Sequence, residues 1–198
     1  MPSSCFTCDS REPYHVNSHS HRIENVVKLR HEHDVHKWWQ SENGINNVYI
    51  QLDLEGEFIL SHLLMRFKSF PPASMLFEKS TNFGQSWQVI AYFAEECREA
   101  FPHVSTENPQ RLGEPYCVSL YSNKGSSSDN DVVYRPLSGL RGVNPIELQN
   151  ALKITNLRIN LTQLHMFGDN LIGKYDAEVM AKYFYALSEI KVFLLNIS

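Results

Sequence analysis

The chain has 198 residues, of which 42% are hydrophobic and 20% charged, and its formal net charge is −4 at pH 7. That length suits one domain with a real core, and the composition is that of a globular chain, not a disordered one. The acidic balance argues against non-specific nucleic-acid binding, which needs a basic field, and no apolar run reaches the roughly 18 residues of a membrane span.

Residues 1–37 read as irregular, rich in Ser, Asn and His, with only the stretch IENVVKL apolar. The polar start, MPSSCFTCDSREPYH, lacks the basic-then-apolar pattern of a signal peptide. WWQSENG then places Trp38 and Trp39 at the lip of a polar turn. At least one of these rings is expected under the core, with Asn43-Gly44 turning the chain. In NVYIQLDL, Val48, Ile50, Leu52 and Leu54 alternate with polar residues, the period of a half-buried strand. EFILSHLLMRFKSF predicts a second strand, with Ile59, Leu63, Met65 and Phe67 inward and Arg66 and Lys68 in water; Pro71-Pro72 closes it.

ASMLFEKS and WQVIAYFA read as strands joined by the turn TNFGQS. EECREAF gives one or two helical turns, stopped by Pro102. A long loop covers about 103–131, interrupted by YCVSLY, and VVYRPL is a short strand. PIELQNAL is a short helix with Pro145 in its first turn, where the missing N–H does no harm. ITNLRINLTQL is the cleanest strand: Leu157, Ile159 and Leu161 share one face, and Asn156, Arg158, Asn160 and Thr162 the other. DAEVMAKYF reads as a short helix and YFYALSEIKVFLL as the closing strand. Many short strands with turn signals and little helix predict an all-β antiparallel sandwich. The alternation alone leaves jelly roll, Greek key and barrel open.

The chemistry-bearing residues are few. Cys5 and Cys8 have C-x-x-C spacing, with His15, His19 and His21 as further ligands for a zinc reading. The finger pattern fails, because the histidine after His21 is His31. Cys97 and Cys117 flank one loop, and a disulfide there would contribute roughly 3 kcal/mol in the chain-entropy model. The run HEHDVH (His31 to His36) reads as a solvated loop that titrates near neutral pH. Asn160-Leu161-Thr162 is an N-glycosylation sequon on the polar face of the clean strand, and Asn196-Ile197-Ser198 is a second at the chain end. The chain has no G-x-S-x-G, P-loop or H-E-x-x-H motif, and Asp53, Glu55 and Glu57 look solvated at a strand end. No catalytic site is expected.

CFTCDSREPYH, SHRIENVV, WWQSENG, IQLDLEGEF, SMLFEKSTNFGQSW, KITNLRINLTQLHMFGDNL and YFYALSEIKV occur in that order. Together they resemble the laminin N-terminal domain (domain VI) of the β-subunit type, with netrins more distant. The signature residues are Trp38, Trp39, His165, Gly168 and Asp169. The resemblance implies a jelly-roll sandwich, similar to galactose-binding-like domains, with long loops and a few short helices. It also implies a secreted, non-enzymatic basement-membrane module. Such a module joins the N-terminal domains of laminin α and γ subunits in calcium-dependent network assembly and supports cell adhesion. Other basement-membrane proteins or cell-surface receptors are further implied partners; nucleic acid is not.

A calcium ion is implied between the loop before the tryptophans and the last strand. Glu24 takes the acidic position there, Ser188 the hydroxyl position, and Lys37 offers its backbone carbonyl. Relatives carry upstream cysteines, so Cys5 and Cys8 are expected either unpaired or paired upstream. Relatives also run on into a Cys-rich repeat, where this chain has VFLLNIS. Residues 1–198 are therefore expected to be a single laminin N-terminal-like domain truncated at both ends. Two rivals stand beside this reading. One is a glycan- or receptor-binding sandwich of netrin type; the other is a truncated product without function.

Overall fold

In the computed structural model, which describes residues 10–26, 37–120, 130–138, 142, 144–169 and 176–196, the longest element is one strand of 20 residues, β2 (Val48–Phe67). The sequence reading divided it into two. Its buried positions explain both views. Val48, Ile50, Leu52 and Leu54 pack on the main core in the first half, and Leu60, 1% exposed, continues that set, whereas Leu63, Met65 and Phe67 pack on it in the second. The inward parity changes from even to odd. A change of one residue turns a strand's whole apolar set to the other face, unless a bulge re-phases it. The pairing with the last strand, Ala186–Asn196, shifts between Leu60 and His62, and the parity changes there; a separate shift, in the pairing with Lys153–Gln163, lies between Asp53 and Phe58, where Glu55 adopts φ 57°.

The shift between Leu60 and His62 lets β2 serve two layers. Its first half pairs with β7 (Lys153–Gln163), which pairs in turn with β3 (Ser74–Ser80). Next come β4 (Gln88–Ala94) and, in parallel, β5 (Cys117–Ser119). Its second half pairs with β8 (Ala186–Asn196) and β6 (Asp131–Tyr134). The edge strand β1 (Trp39–Gln40) lies on β8. All pairs but β4 with β5 are antiparallel, so the predicted all-β sandwich forms, its corner made by a strand that changes sheets.

The layers meet through Met75, Phe77, Phe93, Leu157, Ile159 and Leu161 on one side and Leu63, Met65, Val132, Tyr134 and Leu187 on the other, all buried. Tyr134 bridges them. Its ring contacts Phe77 at 5.9 Å and Phe93 at 6.3 Å between centroids. Its hydroxyl donates to the Ile90 carbonyl at 3.2 Å, as a buried phenol requires.

Among the described residues three short α-helices decorate the strands: α1 (Cys97–Ala100), α2 (Pro145–Leu152) and α3 (Ala177–Met180). Asn144 caps α2 by accepting from Ile146 N–H at 2.9 Å, and Asp176 caps α3 by accepting from Val179 N–H at 2.8 Å. Cys97 and Cys117 form a disulfide, joining the start of α1 to β5.

Three expectations are corrected. Neither Trp38 nor Trp39 is fully buried; both are half-buried, because β1 is a two-residue edge strand with a neighbour on one side only. Asn156 was placed on the outward face of β7, yet it is 5% exposed. The Phe83–Gly84 turn lies over it, and it is satisfied by donating to Asp53 Oδ1 at 2.5 Å and accepting from Thr155 Oγ1 at 2.7 Å. Arg66 is held rather than free in water. Its guanidinium donates to both Asp131 oxygens, at 2.9 and 3.1 Å, and reaches Glu189 at 3.4 Å.

Reducing the Cys97–Cys117 bond is expected to lower stability by about 3 kcal/mol, while Leu157→Ala is expected to cost about 2–5 kcal/mol. Urea midpoints with and without reductant check the first, and the midpoint of the variant checks the second.

Candidate functional site

The densest polar stitching ties WWQSENG to the segment before β8. Ser41 N–H donates to the Tyr185 carbonyl at 2.9 Å, and its hydroxyl accepts from Tyr185 N–H at 3.0 Å. Asn43 Nδ2 donates to the Ala181 carbonyl at 2.7 Å, and Gly44 N–H to the Tyr183 carbonyl at 2.8 Å. Gly44 makes the expected turn at φ +76°, and an added Cβ would lie 3.3 Å from the Met180 carbonyl oxygen, so the close approach needs glycine. Tyr185 is 1% exposed and donates to the Asn46 carbonyl at 2.7 Å. Burial pushes its phenol well above the ordinary range, so it stays a donor. Asn46 Oδ1 accepts from Leu164 N–H at 3.0 Å, which carries the stitching into the loop 164–169.

On that base stands an exposed aromatic corner. His165 is stacked on Phe70, with centroids 4.9 Å apart and planes at 17°. Phe167 stands edge-on to both, 4.9 Å from Phe70 and 5.0 Å from His165. The His165 ring is held at Nδ1, which hydrogen-bonds the Glu95 carboxylate. Tyr183 donates to Asp169 Oδ2 at 2.7 Å, which raises its phenol above the ordinary value. Gly168 takes φ +88° to close the loop. Phe167 is 67% exposed and Phe70 50%. Large apolar rings held rigidly in water mark an interaction surface more than a core.

The signature residues His165, Gly168 and Asp169 therefore lie at this corner, while Trp38 and Trp39 make their contacts elsewhere. Trp39 packs on the main core. Trp38 stacks on His21, with centroids 3.7 Å apart, and Lys68 Nζ lies 5.2 Å from the Trp38 ring. Phe70 was not singled out from the sequence. Its one signal is its place before Pro71-Pro72, which ends β2 and leaves the ring outside the ladder.

The proposed calcium ligands lie elsewhere, beside the single-turn helix Ile23–Asn25, whose neighbour Val26 accepts at its carbonyl from Ile190 N–H at 3.4 Å. Glu24 is held by Arg22, with Nε donating to Oε2 at 2.5 Å. This pair, the larger cause, holds the Glu24 carboxyl below its usual range. Ser188 donates to the Arg66 carbonyl at 3.2 Å and keeps its oxygen free to accept. Calcium takes roughly six to eight oxygens. The described donors fit only a weak site, because a guanidinium contests the one carboxylate. Among the described residues no group of three or more His, Cys, Asp or Glu converges.

Asn160 lies mid-strand on the outer face of β7, half-buried, and donates to Glu78 Oε2 at 2.6 Å. His15 and His19 are exposed, and His21 is buried. Cys5, Cys8 and the run His31 to His36 lie outside the described residues. No helix among the described residues is long and apolar enough to cross a membrane.

This geometry defines an all-β sandwich that presents exposed rings on a stitched base. The chain belongs to the laminin N-terminal (domain VI) family, whose model matches residues 1–193. It is 46% identical to mouse laminin subunit beta-1 and 47% identical to human laminin subunit beta-2, over 193 residues in each case. Those matches cover 95% of this chain and 11% of each relative, so the chain spans about a tenth of the laminin subunits it matches. Mouse netrin-4 is 40% identical over 127 residues, covering 63% of this chain and 20% of that protein. Among solved structures, chitosan-binding module 1 from a Paenibacillus chitosanase/glucanase aligns with a TM-score of 0.41 and 12% identity, covering 79% of this chain and 76% of that one.

His21 makes the site sensitive to acid. It is 2% exposed, and its Nδ1 has no hydrogen-bond partner among the described residues. Burial first, then the charge of His19, holds the imidazole below its ordinary 6.5, against a hydrogen bond to the Trp38 backbone. The folded form thus keeps the ring neutral. Its contribution is complete above pH 6.5 and is lost as the pH falls through the lowered folded value, because the unfolded chain takes up a proton that the folded chain refuses. Urea unfolding between about pH 7.5 and pH 5 is expected to show falling stability, with a shallower slope for His21→Phe. An equal slope in that variant would assign the loss to other groups.

Proposed function

We propose that this chain is a non-catalytic extracellular-matrix association domain, working as the β-type tip that joins the N-terminal domains of laminin α and γ subunits. The observation that carries the reading is the exposed corner of Phe70, His165 and Phe167, whose rings are fixed by Glu95 below and by the Tyr183–Asp169 bond beside them. Prefixed aromatic rings lose little freedom on binding, and such residues dominate protein interfaces. Membership of the family and high identity to laminin beta subunits support the choice of partners. The domain works outside the cell, where the Cys97–Cys117 disulfide persists.

Calcium dependence belongs to the same proposal. Glu24 and Ser188 serve the ion at low affinity, and Arg22 competes with it for the Glu24 carboxylate. Arg22→Ala is expected to tighten calcium binding by isothermal titration; an unchanged affinity refutes the competition.

The association itself is tested by mixing the secreted chain with α and γ N-terminal domains, with calcium or with chelator, and following the sedimentation of the mixture. A ternary complex is expected with calcium. The double change Phe70→Ser with Phe167→Ser is expected to weaken it by about tenfold or more without unfolding the domain, since hot-spot rings carry at least about 1–2 kcal/mol each. If no complex forms while the matching domain of a full-length laminin beta subunit forms one, the reading fails.

A further inference from the structure

Asn160 sits in the middle of β7, and its register partners are Tyr49 on β2 and Leu76 on β3. In antiparallel pairs, directly opposed residues point to the same face with Cβ atoms about 4.5–5.5 Å apart. The face is the outer one: Tyr49 is 64% exposed, and the next row along holds Gln51, Arg158 and Glu78. Arg158 lies over the rings of Trp87, at 3.7 Å, and Tyr49, at 5.2 Å, and donates to Gln51 Oε1 at 2.9 Å. The sequon hydroxyl is Thr162, which donates to the Ser74 carbonyl at 2.9 Å.

We propose that Asn160 carries an N-linked glycan whose innermost sugars lie over Tyr49, so that the outer face of the β2–β7–β3 layer is shielded and takes no part in association. The inference rests on the extracellular reading above, because the sugar donor is met only by chains entering the secretory route. In the transfer, Asn160 Nδ2 attacks the anomeric carbon of a lipid-diphosphate-linked oligosaccharide. The new C–N bond forms as the C–O bond to the diphosphate breaks, the lipid diphosphate leaves, and one amide proton passes to the transferase. An Asn amide has two N–H donors. One is used by Glu78, so substitution of the other leaves the fold's own bond in place. The exposed Tyr49 ring then gains an apolar sugar face as cover, and Arg158, already flanked by two rings, lies at the edge of the same footprint. The aromatic corner at Phe70 and Phe167 belongs to the loops at the strand ends and stays clear for partners.

The test expresses residues 1–198 behind a secretion leader in animal cells, with Asn196→Gln to remove the second sequon, and maps peptides before and after amide-cleaving glycosidase. The expected result is a glycan on Asn160 that Thr162→Ala removes, together with several-fold slower tyrosine iodination at Tyr49 in the glycosylated protein. Asn160 recovered unmodified, whether from medium or from the retained pool, overturns the site. A glycan present with Tyr49 equally reactive overturns the packing. An unmodified chain that still forms the ternary complex sinks this inference alone, whereas an occupied Asn160 on a chain that forms no complex sinks the network reading alone.

Discussion

The fold depends on the irregularity in β2 between Leu60 and His62. A single strand contributes an apolar face to each of two layers, and its inward positions are even-numbered before the irregularity and odd-numbered after it. Without the shift, Leu63, Met65 and Phe67 would turn to water and the second layer would lose its central strand. Upstream, at a separate shift between Asp53 and Phe58, Glu55 takes the left-handed φ of 57°, a conformation that costs a non-glycine residue free energy. The burial of the second half, where Leu63 and Met65 are at 0% exposure, offsets that cost many times over, at about 1.5–3 kcal/mol per large apolar side chain.

The second layer then carries its own polar constraint. Arg66 on β2 sits between Asp131 on β6 and Glu189 on β8, and Glu189 also meets Lys191 at 2.8 Å. Both carboxylate side chains are only 6% exposed. Buried charges persist when paired and hydrogen-bonded, so this cluster fixes which strands flank β2 rather than adding much stability. The same logic governs Lys79, buried under α2, whose ammonium donates to the Ala151 carbonyl near the helix C-terminus where a cation is favoured.

From that frame the association surface follows by short steps. β8 is anchored in β2, the segment before it is stitched to WWQSENG, and the stitching passes through Asn46 to the loop of His165 to Asp169. The exposed rings are thus placed by the loop's anchorage to the sandwich together with the His165–Glu95 and Tyr183–Asp169 side-chain bonds. A binding surface built this way loses little entropy on docking. It also explains why a turn with two tryptophans is half-buried: its work is to hold neighbouring segments together, with Trp39 on the core and Trp38 on His21.

The sequence by itself determined the strand content, the inward faces of β2 and β7, the Gly44 turn, the short helix that begins at Pro145, the Cys97–Cys117 pairing and the family. Each of these is set by neighbours in the chain: a period of two, a turn residue needing positive φ, or an ordered run of motifs. Even the change of parity in β2 is written in the residues, although its meaning appears only when both partners of the strand are known. Tertiary structure alone decided that Asn156 is buried, that Arg66 is clamped, that Phe70 joins His165 and Phe167, and that Glu24 is held by Arg22. Most of these depend on segments distant in the chain, such as the turn over Asn156 or β6 beside Arg66, and no local pattern encodes which segment arrives. The Arg22–Glu24 pair spans only two residues, yet it too depends on the backbone of a single helical turn, which the alternation of side chains does not reveal.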